Sequence, residues 1–297
     1  MSKGKGMSRN EGSEPTADEL IQAIIEMALA EDIGDGDVTT ICTVPESRQY
    51  IGRFVAKANG VLAGLDVATR TFLMVDATVQ VIPSLGDGSG VKSGDVIAVV
   101  HGPGRALLSA ERVALNFMQR MSGIATATRR YVDAVQGTSA TILDTRKTAP
   151  GMRMLDKEAV LLGGGSNHRT GLFDMVLIKE NHIAAAGGIT AAVEMVRNGD
   201  VRGRPIEVEV RNLTELSEAL SLHPDRIMLD NMDLAQMREA VSRVNGTVSL
   251  EASGNVSLET VASIAATGVD YISVGALTHS VRALDISFLL EIADFED

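Results

Sequence analysis

The feature that most constrains the fold is an alternation after Thr138, where short apolar runs are separated by segments with helical periodicity. The apolar runs predict strands at residues 141–144, 175–178, 206–210, 227–229, 248–252 and 271–274. Parallel strands need long crossover connections that are usually helices, so the alternation predicts a parallel sheet covered by helices. Because six strands are fewer than the eight of a full barrel, we predict an open or incomplete parallel α/β barrel. A doubly wound sheet is the alternative.

Each predicted strand ends at a residue that can bind an anion, a cation or a phosphate group. These residues are Arg146, Lys179, Glu209, Asp230, Ser253 and Gly275. In α/β barrels the functional groups collect at the carboxyl ends of the strands. We therefore expect these six positions to share one rim.

The chain before the barrel predicts a small N-terminal α/β sandwich domain. A helix is expected from Asp18, its N-cap, to Ala30, and strands are expected at 51–58 and 79–83, with a turn at 91–98 that enters another strand. A long Met-rich helix from about Ser109 to Gln136 then connects the two halves. The expected divisions are a disordered tail at 1–17, the N-terminal domain at 18–118, the barrel at 119–284, and a C-terminal segment at 285–297 that could pack back on the N-terminal domain.

Composition excludes several classes of partner. Lysine and arginine number 27 against 39 aspartates and glutamates, a net charge of −12, which argues against a nucleic-acid or anionic-membrane surface. The single cysteine, Cys42, cannot form an internal disulfide, and no apolar run approaches the roughly 20 residues needed to cross a bilayer. We expect a cytoplasmic protein that binds its anions in a local pocket.

Cations and glycines concentrate between Asp144 and His182, in the clusters DTRKT (144–148), GGGSNHR (163–169) and LIKENH (177–182). Arginine recognises carboxylate or phosphate with two parallel donors, lysine supplies a mobile charge, and glycine lets the backbone approach a ligand. Each cluster has a plainer alternative. Asp144 could pair with the cations that follow it, the glycines could form a linker, and Lys179 could pair with Glu180 or Asp174.

Later strands add carboxylates and phosphate-binding turns. Glu207 and Glu209 lie on one face of a strand, towards the barrel interior, where carboxylates need a cation. With Asp230 on the next strand, Glu209 predicts a Mg²⁺ site, since no Cys/His cluster suits zinc. The alternative is a Glu209–Lys179 ion pair. The turns at 253–255 and 275–280 offer backbone N–H groups to phosphate.

Taken together, these motifs resemble the quinolinate phosphoribosyltransferase family, also called nicotinate-nucleotide pyrophosphorylase (carboxylating). The resemblance covers nearly everything after the tail. It is carried by AEDIGDGDVTT (30–40), ERVALN (111–116), SGIAT (122–126), DTRKT (144–148), NHR (167–169), IKENH (178–182), EVEV (207–210) and VGALTHS (274–280). Asn255 stands where the family often has glycine.

The resemblance implies that the chain transfers a phosphoribosyl group from phosphoribosyl pyrophosphate to quinolinate, with loss of CO₂. It implies a homodimer or higher homo-oligomer in which Arg112 enters the pocket of a partner subunit. The implied roles are dicarboxylate binding by Arg146, His168, Arg169 and Lys179, pyrophosphate contact and catalysis by Lys147, Mg²⁺ binding and catalysis by Glu209 and Asp230, and ribose-phosphate binding by Ser253, Gly254, Asn255 and Gly275. Thr145 and His279 complete the expected substrate-binding set.

Three other functions stay open at this point. A paralogous phosphoribosyltransferase could act on another aromatic acid, although four cations suit a diacid better than a monoacid. The segment 91–99 looks somewhat like the hairpin of a biotinyl or lipoyl carrier, but it lacks the Met-Lys-Met or Asp-Lys-Ala tip. A protein that only senses a metabolite is a further possibility, against which Glu209 and Asp230 favour turnover.

Overall fold

The computed structural model of the protein describes residues 16–292. The expected disordered tail lies outside this range except for its last two residues. Thr16 and Ala17 belong to the first helix: the Thr16 hydroxyl accepts from the backbone N–H of Glu19, and the Glu19 carboxylate accepts from the Thr16 N–H. Asp18 is therefore not the N-cap, as the sequence predicted, because the capping box forms two residues earlier.

The described residues form helices and strands that alternate along the chain. The helices are α1 (Ala17–Ile33), α2 (Val38–Thr43), α3 (Leu65–Val75), α4 (Gly104–Ala134), α5 (Arg153–Leu162), α6 (Glu180–Ala186), α7 (Ile189–Gly199), α8 (Leu213–Ser221), α9 (Leu234–Val244), α10 (Val261–Ala265) and α11 (Ala276–His279). The strands are β1 (Gln49–Ala56), β2 (Gly60–Val61), β3 (Gln80–Pro83), β4 (Gly90–Val91), β5 (Val96–Pro103), β6 (Thr141–Leu143), β7 (Val176–Ile178), β8 (Ile206–Val210), β9 (Arg226–Asp230), β10 (Ser249–Ser253), β11 (Tyr271–Ser273) and β12 (Ile286–Ile292).

A four-stranded antiparallel sheet, in the order β12-β1-β5-β3, forms the N-terminal domain. Its edge strand β12 comes from the other end of the chain and pairs with β1 from Ala56↔Ile286 to Tyr50↔Ile292. Phe54, Phe72 and Phe288 pack together beneath this sheet with ring centroids 4.6–5.9 Å apart. The sheet thus brings the C-terminal end of the described chain, β12, into the core of the N-terminal domain.

Strand β5 lies between β1 and β3, and the preceding strand β4 pairs with β2. The segment 91–99 is therefore built into the N-terminal domain and presents no separate carrier hairpin. The carrier alternative is wrong, because β5, which would be the second strand of the carrier hairpin, is an internal strand of the four-stranded sheet.

The long helix α4 joins the two halves by contributing to both hydrophobic cores. Ala114 and Met118 pack in the N-terminal core, whereas Phe117 and Met121 pack in the barrel core. The helix begins at Gly104, directly after β5, and so starts five residues before the predicted Ser109. Among residues 16–292, no helix combines the length and apolar character that a membrane span requires.

The barrel half contains a six-stranded parallel sheet in the order β6-β11-β10-β9-β8-β7. All six predicted strands are present, with ends displaced by no more than one residue. Neighbours follow chain order, and the last strand, β11, returns to the first, β6. This winding is that of a barrel left open between β6 and β7, which excludes the doubly wound alternative. Ser166 adds a single bridge to Leu143 at the opening.

Candidate active site

A cavity of about 560 Å³ opens at the carboxyl ends of the barrel strands. Every predicted site residue except Arg112 lines it: Thr145, Arg146, Lys147, His168, Arg169, Lys179, Glu209, Asp230, Ser253, Gly254, Asn255, Gly275 and His279. The other lining residues are Leu177, Met228, Asn231, Glu251, Val256, Ser273 and Ala276. The barrel winding thus brings together residues that are up to 134 positions apart in sequence (Thr145 to His279).

The cations of this cavity have no acidic partners within the described residues. Arg146, Lys147, Arg169 and Lys179 form no ion pair within 4.0 Å there. Burial and the nearby Arg146 charge lower the pKa of Arg169. An anion bound between these side chains would relieve that repulsion.

The alternative partners expected for those cations are engaged elsewhere. Asp144 pairs with Lys157, at 2.5 Å, and Glu180 pairs with Arg211, at 2.6 Å. Asp174 instead accepts backbone N–H groups at positions 170 and 171. The plainer interpretations of Arg146, Lys147 and Lys179 as surface or strand-end ion pairs are therefore wrong.

Asp144 and Lys157 form a buried brace under the segment that carries His168. Lys157 Nζ donates to the His168 carbonyl at 2.9 Å, and the His168 N–H donates to Asp144 Oδ1 at 2.8 Å. With its side-chain amide turned so that the nitrogen faces Asp144, Asn167 donates to Asp144 Oδ2 at 2.7 Å. Burial raises the pKa of Asp144 and lowers that of Lys157, which reflects a desolvation cost that the pair only partly offsets.

The His168 ring lies between two buried carboxylates of the barrel interior. Its Nε2 is 3.0 Å from Glu207 Oε2 and 3.4 Å from Glu251 Oε2, and neither contact has the alignment of a linear hydrogen bond. Glu207 and Glu251 are both 0% exposed. Arg226 reaches Glu251 at 3.0 Å and stacks over the Tyr271 ring at 4.1 Å.

Charge balance decides the protonation of His168. The backbone N–H of Arg169 lies 2.7 Å from Nδ1 and opposes a second ring proton, but one such contact is worth about 1 kcal/mol. Leaving one of the two buried carboxylates without a cation would cost several kcal/mol. Burial by itself lowers the pKa of His168, yet Glu207 and Glu251 outweigh it and raise this pKa to about 9. His168 is therefore a cation at neutral pH.

The triple glycine serves packing and not ligand approach, which corrects the sequence interpretation. A Cβ at Gly163 would lie 2.6 Å from the Ala125 carbonyl oxygen, and one at Gly165 would lie 2.8 Å from Thr128 Cγ2. None of the three glycines lines the cavity. They allow the chain to pass close to α4 before it reaches His168.

A second buried acid fixes the loop of Arg146 and Lys147. Asp156, which is 0% exposed, accepts two hydrogen bonds from Arg120, at 2.9 and 2.8 Å, and one from the Ala149 N–H, at 3.2 Å. The Thr278 hydroxyl donates to the Lys147 carbonyl at 2.9 Å. The cationic loop is thus held from α4, α5 and α11.

The opposite wall of the cavity carries Glu209 and Asp230 at the ends of neighbouring strands. Within residues 16–292 neither carboxylate forms an ion pair, so the alternative Glu209–Lys179 pair is not present. Asp230 accepts from the Asn231 amide at 3.1 Å, and Asn231 in turn accepts from Asn255 at 3.1 Å. Two half-buried carboxylates without a counter-ion are suited to a hard divalent cation.

The turn after β10 depends on backbone conformations with positive φ. Gly254 has φ +100°, and a Cβ there would lie 2.2 Å from Asn231 Oδ1, so only glycine fits. Asn255 has φ +50°, which asparagine tolerates better than most residues. Asparagine therefore fits this turn without a glycine at position 255.

Arg112 does not reach the cavity of its own chain. It lies exposed on α4 and forms no ion pair within 4.0 Å among the described residues. A single chain therefore assembles the predicted site without this arginine.

Sequence reasoning missed Lys157, Glu251 and Asn231. Glu251 had an available signal, because period-two alternation from Ser253 places it on the inward face of its strand. Lys157 had no such signal in the sequence, since a lysine on a helix is ordinarily assigned to the solvent side. Asn231 follows Asp230 directly, and only its φ of +52° and its contact with Asn255 reveal its position.

Comparison with known proteins gives one consistent result. The family models for quinolinate phosphoribosyl transferase match residues 37–122, as the N-terminal domain, and residues 124–289, as the C-terminal domain. A nicotinate-nucleotide pyrophosphorylase [carboxylating], chloroplastic, of Oryza sativa subsp. japonica is 48% identical over 296 residues, which cover 93% of this chain and 79% of that protein. A nicotinate-nucleotide pyrophosphorylase [carboxylating] of Mycobacterium leprae (strain TN) is 48% identical over 271 residues, which cover 88% of this chain and 94% of that protein. The crystal structure of NadC from Streptococcus pyogenes superposes with a TM-score of 0.90 at 39% identity, covering 95% of this chain and all of that one.

Proposed function

The chain belongs to the quinolinate phosphoribosyltransferase family, and we propose that it transfers the phosphoribosyl group of phosphoribosyl pyrophosphate to quinolinate. The products are nicotinate mononucleotide, pyrophosphate and CO₂, which makes it an enzyme of NAD biosynthesis. One observation carries the assignment to this cavity. Four cations without acidic partners and two carboxylates without cationic partners, among the described residues, line a single pocket of an acidic protein.

The cationic wall binds the dicarboxylate. Arg146 and Arg169 supply planar donor forks that match carboxylate geometry, while Lys179 adds a mobile charge at the exposed end of β7. His168 contributes a fixed positive charge beneath them. Thr145 and His279 lie at the edge of the same cavity, where they contact bound substrate.

The opposite wall binds phosphoribosyl pyrophosphate. The turn at Ser253, Gly254 and Asn255 and the turn at Gly275 hold the ribose phosphate through backbone N–H groups. Lys147 extends beside Gly275, where an added Cβ would lie 3.1 Å from its Cδ, and it meets the pyrophosphate. Both polyanions are thereby neutralised before they meet.

Glu209 and Asp230 fit a magnesium ion. Both are oxygen donors, they stand on neighbouring strands, and neither is consumed by a cation of the described chain. Mg²⁺ is typically held by one or two carboxylates together with substrate phosphates. When bound, this ion would neutralise charge on the pyrophosphate leaving group.

The reaction needs positioning and charge compensation but no side-chain nucleophile. The cationic wall orients the quinolinate nitrogen towards C1′ of the ribose, and the bond from C1′ to the pyrophosphate oxygen breaks as the new C–N bond forms. Lys147 stabilises the departing oxygen. The resulting pyridinium then accepts the electron pair of the adjacent C–CO₂⁻ bond, CO₂ leaves, and a proton takes its place on the ring.

A second subunit completes the site with Arg112. This arginine is exposed and unpaired among the described residues, and Leu172 and Phe173, at 73% and 60% exposed, lie on the loop that follows Arg169. Exposed apolar side chains beside the pocket are suited to a subunit interface. The protein therefore acts as a homodimer or a larger homo-oligomer.

A direct assay tests the assignment. The purified protein is incubated with quinolinate, phosphoribosyl pyrophosphate and Mg²⁺, and CO₂ release and nicotinate mononucleotide are followed together. Both should appear in equal amounts, and omission of Mg²⁺ should suppress both. A paralogous enzyme for a monoacid would turn over nicotinate faster than quinolinate, and that result would overturn the assignment.

Subunit mixing tests the role of Arg112. Arg112→Ala and Arg146→Ala should each be folded and inactive, but mixing them under conditions of subunit exchange should restore activity through hybrid sites. Arg130→Ala, an exposed arginine on the same helix, is the matched control and should stay active. If the mixture stays inactive although exchange is demonstrated, the shared site is refuted. Cytoplasmic localisation stays a separate prediction, since several plant relatives are named chloroplastic or mitochondrial.

A further inference from the structure

The buried side of His168 carries charged residues for which the proposed reaction provides no role. Glu207, Glu251 and Arg226 lie on the inward faces of β8, β10 and β9. Glu207 and Arg226 are register partners across neighbouring strands, and Glu251 is the register partner of Tyr271. The three residues occupy the barrel interior below the cavity, where only Glu251 contributes to its lining.

Contacts between these residues are continuous. Arg226 reaches Glu251 at 3.0 Å, Glu251 reaches His168 at 3.4 Å, and His168 reaches Glu207 at 3.0 Å. Both oxygens of Glu207 and Oε1 of Glu251 lack any hydrogen-bond donor. Buried carboxylates in this state need positive charge nearby, since they have no alternative stabilisation.

Burial raises the pKa of Glu207, but with both carboxylates ionised the charges sum to zero only if the imidazole is positive. Two carboxylates and one guanidinium leave one negative charge, which a cationic His168 cancels. On the backbone side of His168, Asp144 and Lys157 cancel each other. On the cavity side lie Arg146 and Arg169, which have no acidic partner among the described residues and are available to bind substrate.

We propose that Glu207, Glu251 and Arg226 are positioning residues that hold His168 as a fixed cation beneath the dicarboxylate end of the pocket. Glu207 and Arg226 lie outside the cavity lining, and Glu251, which lines it, directs its Oε2 to His168 and Arg226. Glu207 and Glu251 stabilise its charge, whereas Arg226 limits the excess of negative charge and is itself anchored on the Tyr271 ring. Because His168 is only 8% exposed, water screens its charge little, and the cation attracts a diacid more strongly than an exposed one would.

Histidine NMR tests the proposal without any substrate. The chain has five histidines, so His168 can be assigned by comparison with His168→Gln in protein labelled at histidine. The wild-type resonance should titrate with the raised pKa of about 9. Glu251→Gln and Glu207→Gln should each lower that midpoint by about one pH unit or more, a tenfold change.

Arg226→Met gives the decisive sign. Loss of this guanidinium leaves the two carboxylates less neutralised, so the His168 midpoint should rise, although the same pair is disrupted as in Glu251→Gln. A merely structural role predicts shifts in one common direction. Arg243→Met breaks an exposed Arg–Glu pair with Glu239 and should leave the midpoint unchanged. If the glutamine variants fail to fold, judged by the other histidine signals, the Arg226→Met shift still decides.

Binding measurements connect the network to the pocket. At pH 8, Glu251→Gln should weaken quinolinate binding severalfold and leave phosphoribosyl pyrophosphate binding within twofold of wild type. This consequence rests on the proposed function, but the two can fail separately. No phosphoribosyl transfer with a normal His168 titration would overturn the function alone. Full activity with a His168 midpoint that is unmoved, or moved in the same direction by all variants, would overturn the network.

Discussion

The two walls of the cavity differ in how their charges are stabilised. The wall around His168 rests on buried charges that are mutually compensated: Asp144, Lys157, Glu207 and Glu251 are all at most 3% exposed. The wall around Glu209 and Asp230 rests on exposed turns, in which Asn231 and Asn255 adopt positive φ. Its carboxylates have no protein counter-ion within the described residues.

The contrast shows which part of the site is complete before substrate arrives. Around His168 the protein has already met the desolvation cost, so the wall is fixed in position, and removal of one buried charge leaves its partner uncompensated. Around Glu209 and Asp230 the charges remain hydrated and available, so this wall gains its partners only from ligands. Substitutions of the buried charges beneath the first wall should therefore affect folding, and substitutions of Glu209 and Asp230 should affect activity alone.

Removal of the buried lysine should have the largest effect on stability. Lys157→Met leaves Asp144 without its cation, and we expect the free energy of unfolding to fall by about 3–5 kcal/mol. Urea denaturation measures the loss. Glu209→Gln, in the other wall, serves as control and should change stability by less than about 0.5 kcal/mol, because Glu209 forms no ion pair among the described residues. Equal losses in the two variants would remove the contrast between the walls.

The dependence of stability on pH should identify the His168 wall. The pKa of His168 is raised to about 9 in the folded protein, so its contribution is fully present below the unfolded value near 6.5 and is lost as the pH rises towards 9. Over that window the free energy of unfolding should fall by about 3 kcal/mol. In the double variant Glu207→Gln, Glu251→Gln this decline should disappear. A wild-type stability that rises with pH over this range contradicts the assignment of charge.

Loss of a carboxylate on the other wall should affect catalysis and spare the fold. Asp230→Asn should lower kcat/KM by about 100-fold, equivalent to about 2.7 kcal/mol, because the proposed Mg²⁺ site would lose one of its two carboxylates. Its unfolding curve should match wild type within about 0.5 kcal/mol. Steady-state kinetics at several Mg²⁺ concentrations and a parallel melt measure both. Glu239→Gln, an exposed acid far from the cavity, should be indistinguishable from wild type.

The smallest effect on catalysis should come from the turn at residues 253–255, which we propose binds the ribose phosphate. Asn255→Gly removes the amide contact with Asn231 but keeps a backbone that accommodates φ +50°. Since an exposed hydrogen bond contributes about 0.5–1 kcal/mol, KM for phosphoribosyl pyrophosphate should rise about two- to fivefold with KM for quinolinate unchanged. A rise in both constants would mean that the two walls are not independent.

Local pattern was sufficient for the strands and for the rim. A short apolar run ending in Arg, Lys, Glu or Asp predicts a parallel strand with a polar carboxyl end, and all six strands were found within one residue of the predicted bounds. The start of α4 and the cap of α1 were missed, because helix ends depend on single side-chain contacts. The function followed from motifs spread along most of the chain.

Sequence by itself determined the parallel barrel half, the residue types at its rim and the family. Tertiary structure alone decided their partners: that Asp144 pairs with Lys157 and not with the adjacent arginine, that the triple glycine packs on α4, and that Glu251 faces His168. The physical reason is the distance along the chain between the residues that interact. Strand periodicity is written in neighbouring residues, whereas the pairing of buried charges depends on which strands the barrel places side by side.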